Sequence, residues 1–233
     1  MKNLDNIIEK IEKHINEKDR IREQALRSSR DIIIRCRKAI QHLHQNQNKE
    51  AGQHIKKASE ELAELYNLTK KHADLYYSGF VENAAQEVVE AYCLLNILQD
   101  KDLPDPDEIK TTYSSYLLGL CDVVGELRRS ALDCILAGEA SEANKYLNLM
   151  EKIYDVIIRF DYPSALVPIR RKQDMIRSLI EKTRGELAVA SCERRIDYKT
   201  DEFRGILDII NKEKTKKKKG KKKNMDINID KIW

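Results

Sequence analysis

Proline and glycine are scarce in this chain, 4 and 8 among 233 residues. Turn-rich β architectures need both at many corners, so this scarcity, with only 6% aromatic residues, argues against a sandwich or barrel and leaves helices. Long apolar runs are missing too. No stretch approaches the roughly 18 to 20 residues of a membrane span, and the opening MKNLDNIIEKIEKH alternates charges where a signal peptide would be apolar. A soluble, cytoplasmic protein with no membrane partner is expected. Cysteine lacks any pairing pattern: Cys36, Cys93, Cys121, Cys134 and Cys192 are scattered, with no CxxC. Neither a zinc site nor a disulfide framework is indicated, and reduced core thiols are the expectation.

Leu, Ile, Ala, Glu, Lys and Arg dominate, and a hydrophobic share of 41% is adequate for a real core. The composition predicts a single all-α domain over residues 1–211. The formal charge of +4 is uneven: KEKTKKKKGKKK, at 212–223, holds nine Lys and one Glu, which leaves 34 basic against 38 acidic residues elsewhere. The basicity belongs to a tail, 212–233, expected to be disordered because it has nothing to bury. It closes on DINIDKIW, with the only tryptophan, Trp233.

Apolar spacing of three and four predicts about seven helices. The first runs over about 4–46, with Ile32, Ile33, Cys36, Ile40 and Leu43 on one stripe, and the second over about 51–76. A third covers about 81–99 and ends before DLPDPDE, where Pro104 and Pro106 force an extended connection. The fourth spans about 108–137 with Gly138 as a left-handed cap, the fifth about 141–161, the sixth about 168–196 and a short seventh about 200–212. On the sixth, Ile169, Ile176 and Ile180 point inward while Arg170, Arg171, Lys172 and Arg177 are available outside.

The informative residues are four acids in apolar surroundings: Glu87 and Glu90 in AAQEVVEAYCLLNIL, and Asp122 and Glu126 in YLLGLCDVVGELRR. Spacings of three and four put each pair on one side of its helix, so two packed helices could aim four carboxylates into one volume. Crowded carboxylates favour a divalent cation, since they otherwise take up protons or repel one another. Gly119 and Gly125, three residues either side of Asp122, mark a surface kept flat for a neighbour or ligand. The plainer reading is that these acids pair with nearby bases, such as Glu126 with Arg129, or face water. A ferritin-like di-iron site is excluded, because no His stands three residues after a Glu. Carboxylate-only ligands indicate Mg²⁺ or Mn²⁺, and such sites serve phosphate chemistry, with Glu126 a candidate proton acceptor. Arg20, Arg27, Arg30, Arg35, Arg37, Lys38, Arg128 and Arg129 are candidate phosphate binders that would read charge and not sequence.

These segments resemble the translin and translin-associated factor X family. RSSRDIIIRCRKAIQHLHQ is similar to its first long helix, QEVVEAYCL to the Q-E-Y-V-E-A segment of the factor X branch, and YLLGLCDVVGELRRSAL to its Y-L-L-G-x-x-D-L-x-G-E-L segment. The resemblance covers about 20–195. It implies a fold of about seven helices, an octamer-like shell, and binding of single-stranded RNA or DNA. It also implies metal-dependent endoribonuclease activity through Glu87, Glu90, Asp122 and Glu126. The compact link between the third and fourth helices is more like a minimal, archaeal relative, in which a homo-oligomer replaces the mixed shell with a translin-like subunit. A non-catalytic nucleic-acid-binding shell and a purely helical assembly protein are the competing expectations.

Overall fold

The computed structural model describes residues 3–225, with side chains through residue 212 and at residue 214. Seven helices and no strand occur among the described residues: α1 Leu4–His44, α2 Asn48–Thr69, α3 Ala73–Tyr76, α4 Gly79–Leu98, α5 Tyr113–Leu136, α6 Ala140–Ile157 and α7 Arg170–Met225. The chain divides into two compact units, Met1–Arg184 and Gly185–Trp233. No helix among the described residues is long and apolar enough to cross a membrane.

In the first unit, α1 packs on α2 and α4, and α5 packs on α4 and α6. Helix α1 buries residues only in its second half, from Ala25 to Leu43, where the 3/4 spacing of apolar residues begins to face its neighbours. Ile32, Leu43, Ile55, Leu62, Leu65, Leu94, Leu127, Met150 and Ile157 are fully buried. Two polar ties brace this core, one of them charged: Arg35 holds Glu61 in a two-pronged bond between α1 and α2 at 2.9 and 2.8 Å. Gln173 donates to the Ile157 and Phe160 carbonyls, both at 2.9 Å, and so satisfies backbone acceptors left open where α6 ends.

Several boundaries differ from the periodicity. The stretch 51–76 splits into α2 and α3 around Lys70–His72. Helix α5 starts at Tyr113 because Thr112 caps it, its hydroxyl oxygen accepting from the Ser115 N–H at 3.2 Å. Gly138 adopts φ 77° as expected, but Glu139 and not Ser141 precedes α6. The expected sixth and seventh helices are one, α7, which continues through the Lys-rich run to Met225 in place of a disordered tail from 212. Neither proline nor a capping sequence interrupts it, and Lys, Arg and Glu are strong helix formers. DINIDKIW and Trp233 lie outside the described residues. The thiols of Cys36, Cys93 and Cys121 are buried as expected, whereas Cys134 is half-buried and Cys192 exposed.

The contact that positions the acids is at Gly119. A Cβ there would stand 2.6 Å from the Gln86 carbonyl oxygen and 2.7 Å from Val89 Cβ, both on α4. Gly125 has nothing within 4 Å of such a carbon, so only one of the two glycines is needed for close approach. Gly119→Ala is therefore expected to destabilise the protein by about 1 to 3 kcal/mol. Gly125→Ala is expected to stabilise it by up to about 1 kcal/mol through helix propensity. Chemical denaturation of both variants checks the pair, and equal effects would contradict the assignment.

Candidate active site

Helix α4 presents Glu87 and Glu90, and α5 presents Asp122 and Glu126, across the seam that Gly119 closes. All four are half-buried. The charges of Asp122, Glu87 and Glu126 all bear on Glu90. Burial first, and then those three charges, push the Glu90 carboxyl up to about 8, with Lys172 opposing them. Burial also raises Glu87 against the lowering effect of Arg37, and raises Asp122 against the lowering effect of Lys172. Glu90 itself makes no hydrogen bond or ion pair among the described residues.

Its three neighbours are each held by a base. Arg37 of α1 lies 3.5 Å from Glu87, His44 Nε2 of α1 lies 2.5 Å from Glu126 Oε2, and Lys172 Nζ of α7 lies 2.5 Å from Asp122 Oδ2. Arg129, expected as the partner of Glu126, stands farther off at 4.0 Å. Sequence reasoning missed His44 and placed Lys172 outside. A signal existed for both: Lys172 falls three after Ile169 and four before Ile176, and His44 four after Ile40, in step with buried positions.

The donor chemistry fits a hard divalent cation: four carboxylates, one of them without any partner and destabilised by the rest. Their present arrangement is not a finished ligand shell, because no three His, Cys, Asp or Glu side chains among the described residues are gathered so as to hold an ion. The bases account for this by holding three of the four carboxylates.

The predicted phosphate binders separate into groups. On the α1 wheel, Arg30, Arg37 and His44 recur every seven residues and form one line, while Arg20, Arg27 and Lys38 fall roughly a quarter-turn away. Arg27 and Lys38 instead line a hollow with Asp31, Arg35 and Glu61 on the α2 side. Arg35 is committed to Glu61, and Arg128 donates to the Thr183 hydroxyl at 2.6 Å. These two are structural braces and not open cations. Arg37 and Arg129 border the acids with side chains 70% and 57% exposed.

A carboxyl raised in the folded state carries a definite sign. Between the ordinary carboxylate value and about 8, the folded chain keeps a proton that the unfolded chain has released, so stability falls as pH rises through that window. The steepest slope from one such group is about 1.4 kcal/mol per pH unit. Thermal unfolding in EDTA from pH 5 to 9 is expected to show this decline in the native chain and a flatter profile in Glu90→Gln. Identical profiles would mean that Glu90 is ionised in the fold.

The Translin family model matches residues 20–185. An uncharacterized protein from Methanocaldococcus jannaschii is 33% identical over 176 residues, 75% of this chain and 78% of that protein. Among solved structures, a chain of the AfC3PO–duplex RNA complex superposes with a TM-score of 0.72 at 31% identity, covering 80% of this chain and 97% of that one. AfC3PO by itself gives 0.72 at 32% identity, with 80% and 98% covered. The apo-NeC3PO chain shares the fold, with a TM-score of 0.69 at 21% identity and 82% and 98% covered. The all-helical architecture, the order of its helices and these matches agree: the chain belongs to the Translin family.

Proposed function

We propose that this protein is a Mg²⁺- or Mn²⁺-dependent endoribonuclease that cuts single-stranded RNA, with Glu87, Glu90, Asp122 and Glu126 holding the ion. The observation that carries the reading is that the charges of three other carboxylates, Asp122, Glu87 and Glu126, bear on Glu90, which has no partner of its own. That a similar fold is described in complex with duplex RNA supports RNA as the polymer bound, while the choice of single strands rests on the family resemblance. A bound divalent ion would activate a water and offset charge on the phosphodiester. The protein's own contributions are distinct. Arg37 and Arg129, exposed beside the acids, dock the phosphates by charge and fork geometry, and Arg30 extends that line along α1. Glu126 accepts the proton of the attacking water at a carboxylate oxygen, and His44, bonded to Oε2, fixes that carboxylate and shares the proton. Single-stranded DNA would bind through the same backbone contacts without supplying the 2′-hydroxyl.

The chain is further read as assembling into a homo-oligomeric, octamer-like shell. In support, α1 leaves Leu4, Ile8, Ile11 and Ile15 between 44% and 56% exposed at helical spacing, an apolar line that association would cover.

A second reading, a non-catalytic RNA-binding shell, is favoured by the bases that hold three of the acids. One experiment separates the two: labelled single-stranded RNA incubated with the protein in Mg²⁺, Mn²⁺ or EDTA, beside Glu126→Gln, which keeps a partner for His44. The nuclease reading expects cleavage with either ion, none in EDTA, and a loss of about a hundredfold or more in the variant with RNA affinity retained. Binding without cleavage under every condition would leave the shell reading. RNA affinity is expected to fall steeply with salt in either case, with a log–log slope set by the number of phosphates contacted.

A further inference from the structure

Lys172, the third residue of α7, has three ammonium protons and three acceptors. They are Asp122 Oδ2 at 2.5 Å, the Leu118 carbonyl oxygen at 3.0 Å and Gln86 Oε1 at 3.2 Å. The acceptors come from both acid-bearing helices, and Gln86 directly precedes Glu87. With its side chain 23% exposed, the ammonium has traded most of its hydration shell for protein oxygens. A carboxylate, a backbone carbonyl and an amide oxygen are the donors that a hard metal ion also takes. A divalent ion at Asp122 Oδ2 and an ammonium bonded to that same oxygen repel each other at short range, which favours the departure of one of them. The lysine is the one able to leave, since its flexible four-carbon stem can carry a readily hydrated head into solvent.

We propose that Lys172 is a tethered counterion which the metal replaces: without an ion its ammonium clamps Asp122 to Gln86 and Leu118, and divalent-ion binding turns it out of the site. The exchange rests on the metal-site reading above. It accounts for the acids standing together but not yet gathered as a ligand set, because a clamp on Asp122 holds that carboxylate toward α7. Lys172 is accordingly a positioning residue, and the metal's apparent affinity carries the cost of expelling it.

Amine acylation of the full chain, read by mass spectrometry in EDTA and in Mn²⁺, tests the exchange with exposed Lys182 as internal reference. In EDTA, Lys172 is expected to react about tenfold or more slowly than Lys182, as for a clamp populated at least nine-tenths of the time. Mn²⁺ should bring it close to the Lys182 rate while Lys182 itself is unchanged. Continued protection of Lys172 with Mn²⁺ bound, as counted by the loss of the free-ion paramagnetic signal, overturns the proposal. Independently, Lys172→Met should bind Mn²⁺ about tenfold more tightly than the native chain, and equal or weaker binding overturns it. Absence of Mn²⁺ binding in both chains removes the exchange and the metal site together. RNA cleavage with a protected Lys172 would leave the nuclease standing and remove the exchange, whereas ion-driven exposure of Lys172 without cleavage would do the reverse.

Discussion

The missing side chain at Gly119 is the constraint from which the site follows. With backbone oxygen and a β-branched carbon of α4 both under 3 Å from where a Cβ would sit, α4 and α5 meet at a distance that only glycine permits. That approach goes with the burial of Glu90, and burial first, then the charges of Asp122, Glu87 and Glu126, push its carboxyl up to about 8. A wider seam would admit water between the acids and weaken their mutual repulsion.

Crowding of this kind costs the fold stability, and the chain meets the cost with cations from elsewhere. Arg37 and His44 come from α1 and Lys172 from α7, so three acids are offset and the most buried arrangement is left with one carboxyl open. An acid cluster braced by bases is consistent with two roles at once, holding the helices together and waiting for a stronger cation. The exposed guanidinium groups at its border add a rim of opposite charge to an acidic floor, and a polyanion would need such a rim to approach.

The fold was legible because it rests on local rules. Periodicity marked the helices, the Pro104–Pro106 connection marked the main break, and Gly138 marked a corner. The acids and Gly119 were legible for the same reason, as each breaks the pattern of its own helix. The pairings were not. Lys172 and Asp122 are 50 positions apart and His44 and Glu126 are 82 apart, so nothing within one helix reveals which base meets which acid. Arg35 and Arg128 looked like open cations for the same reason: an arginine among polar neighbours reads as surface until a second helix supplies Glu61 or Thr183. The start of α5 was misplaced because a threonine cap outweighs the helix-forming residues before it, and the tail because its lack of anything to bury was weighed without the strong helix propensity of lysine.

The hairpins α1–α2 and α5–α6 close short loops and α4–α5 a longer one, whereas the reaches of Lys172 to Asp122 and of His44 to Glu126 span 50 and 82 positions. Loop entropy makes the short closures first and the long ones last. The acids of α4 and α5 thus lie on neighbouring helices, while the bases that offset Asp122 and Glu126 have the larger loop entropy to overcome. The repulsion is built from near neighbours in the chain and its relief from distant ones, so the offsetting bases depend on the tertiary fold more than the acids do.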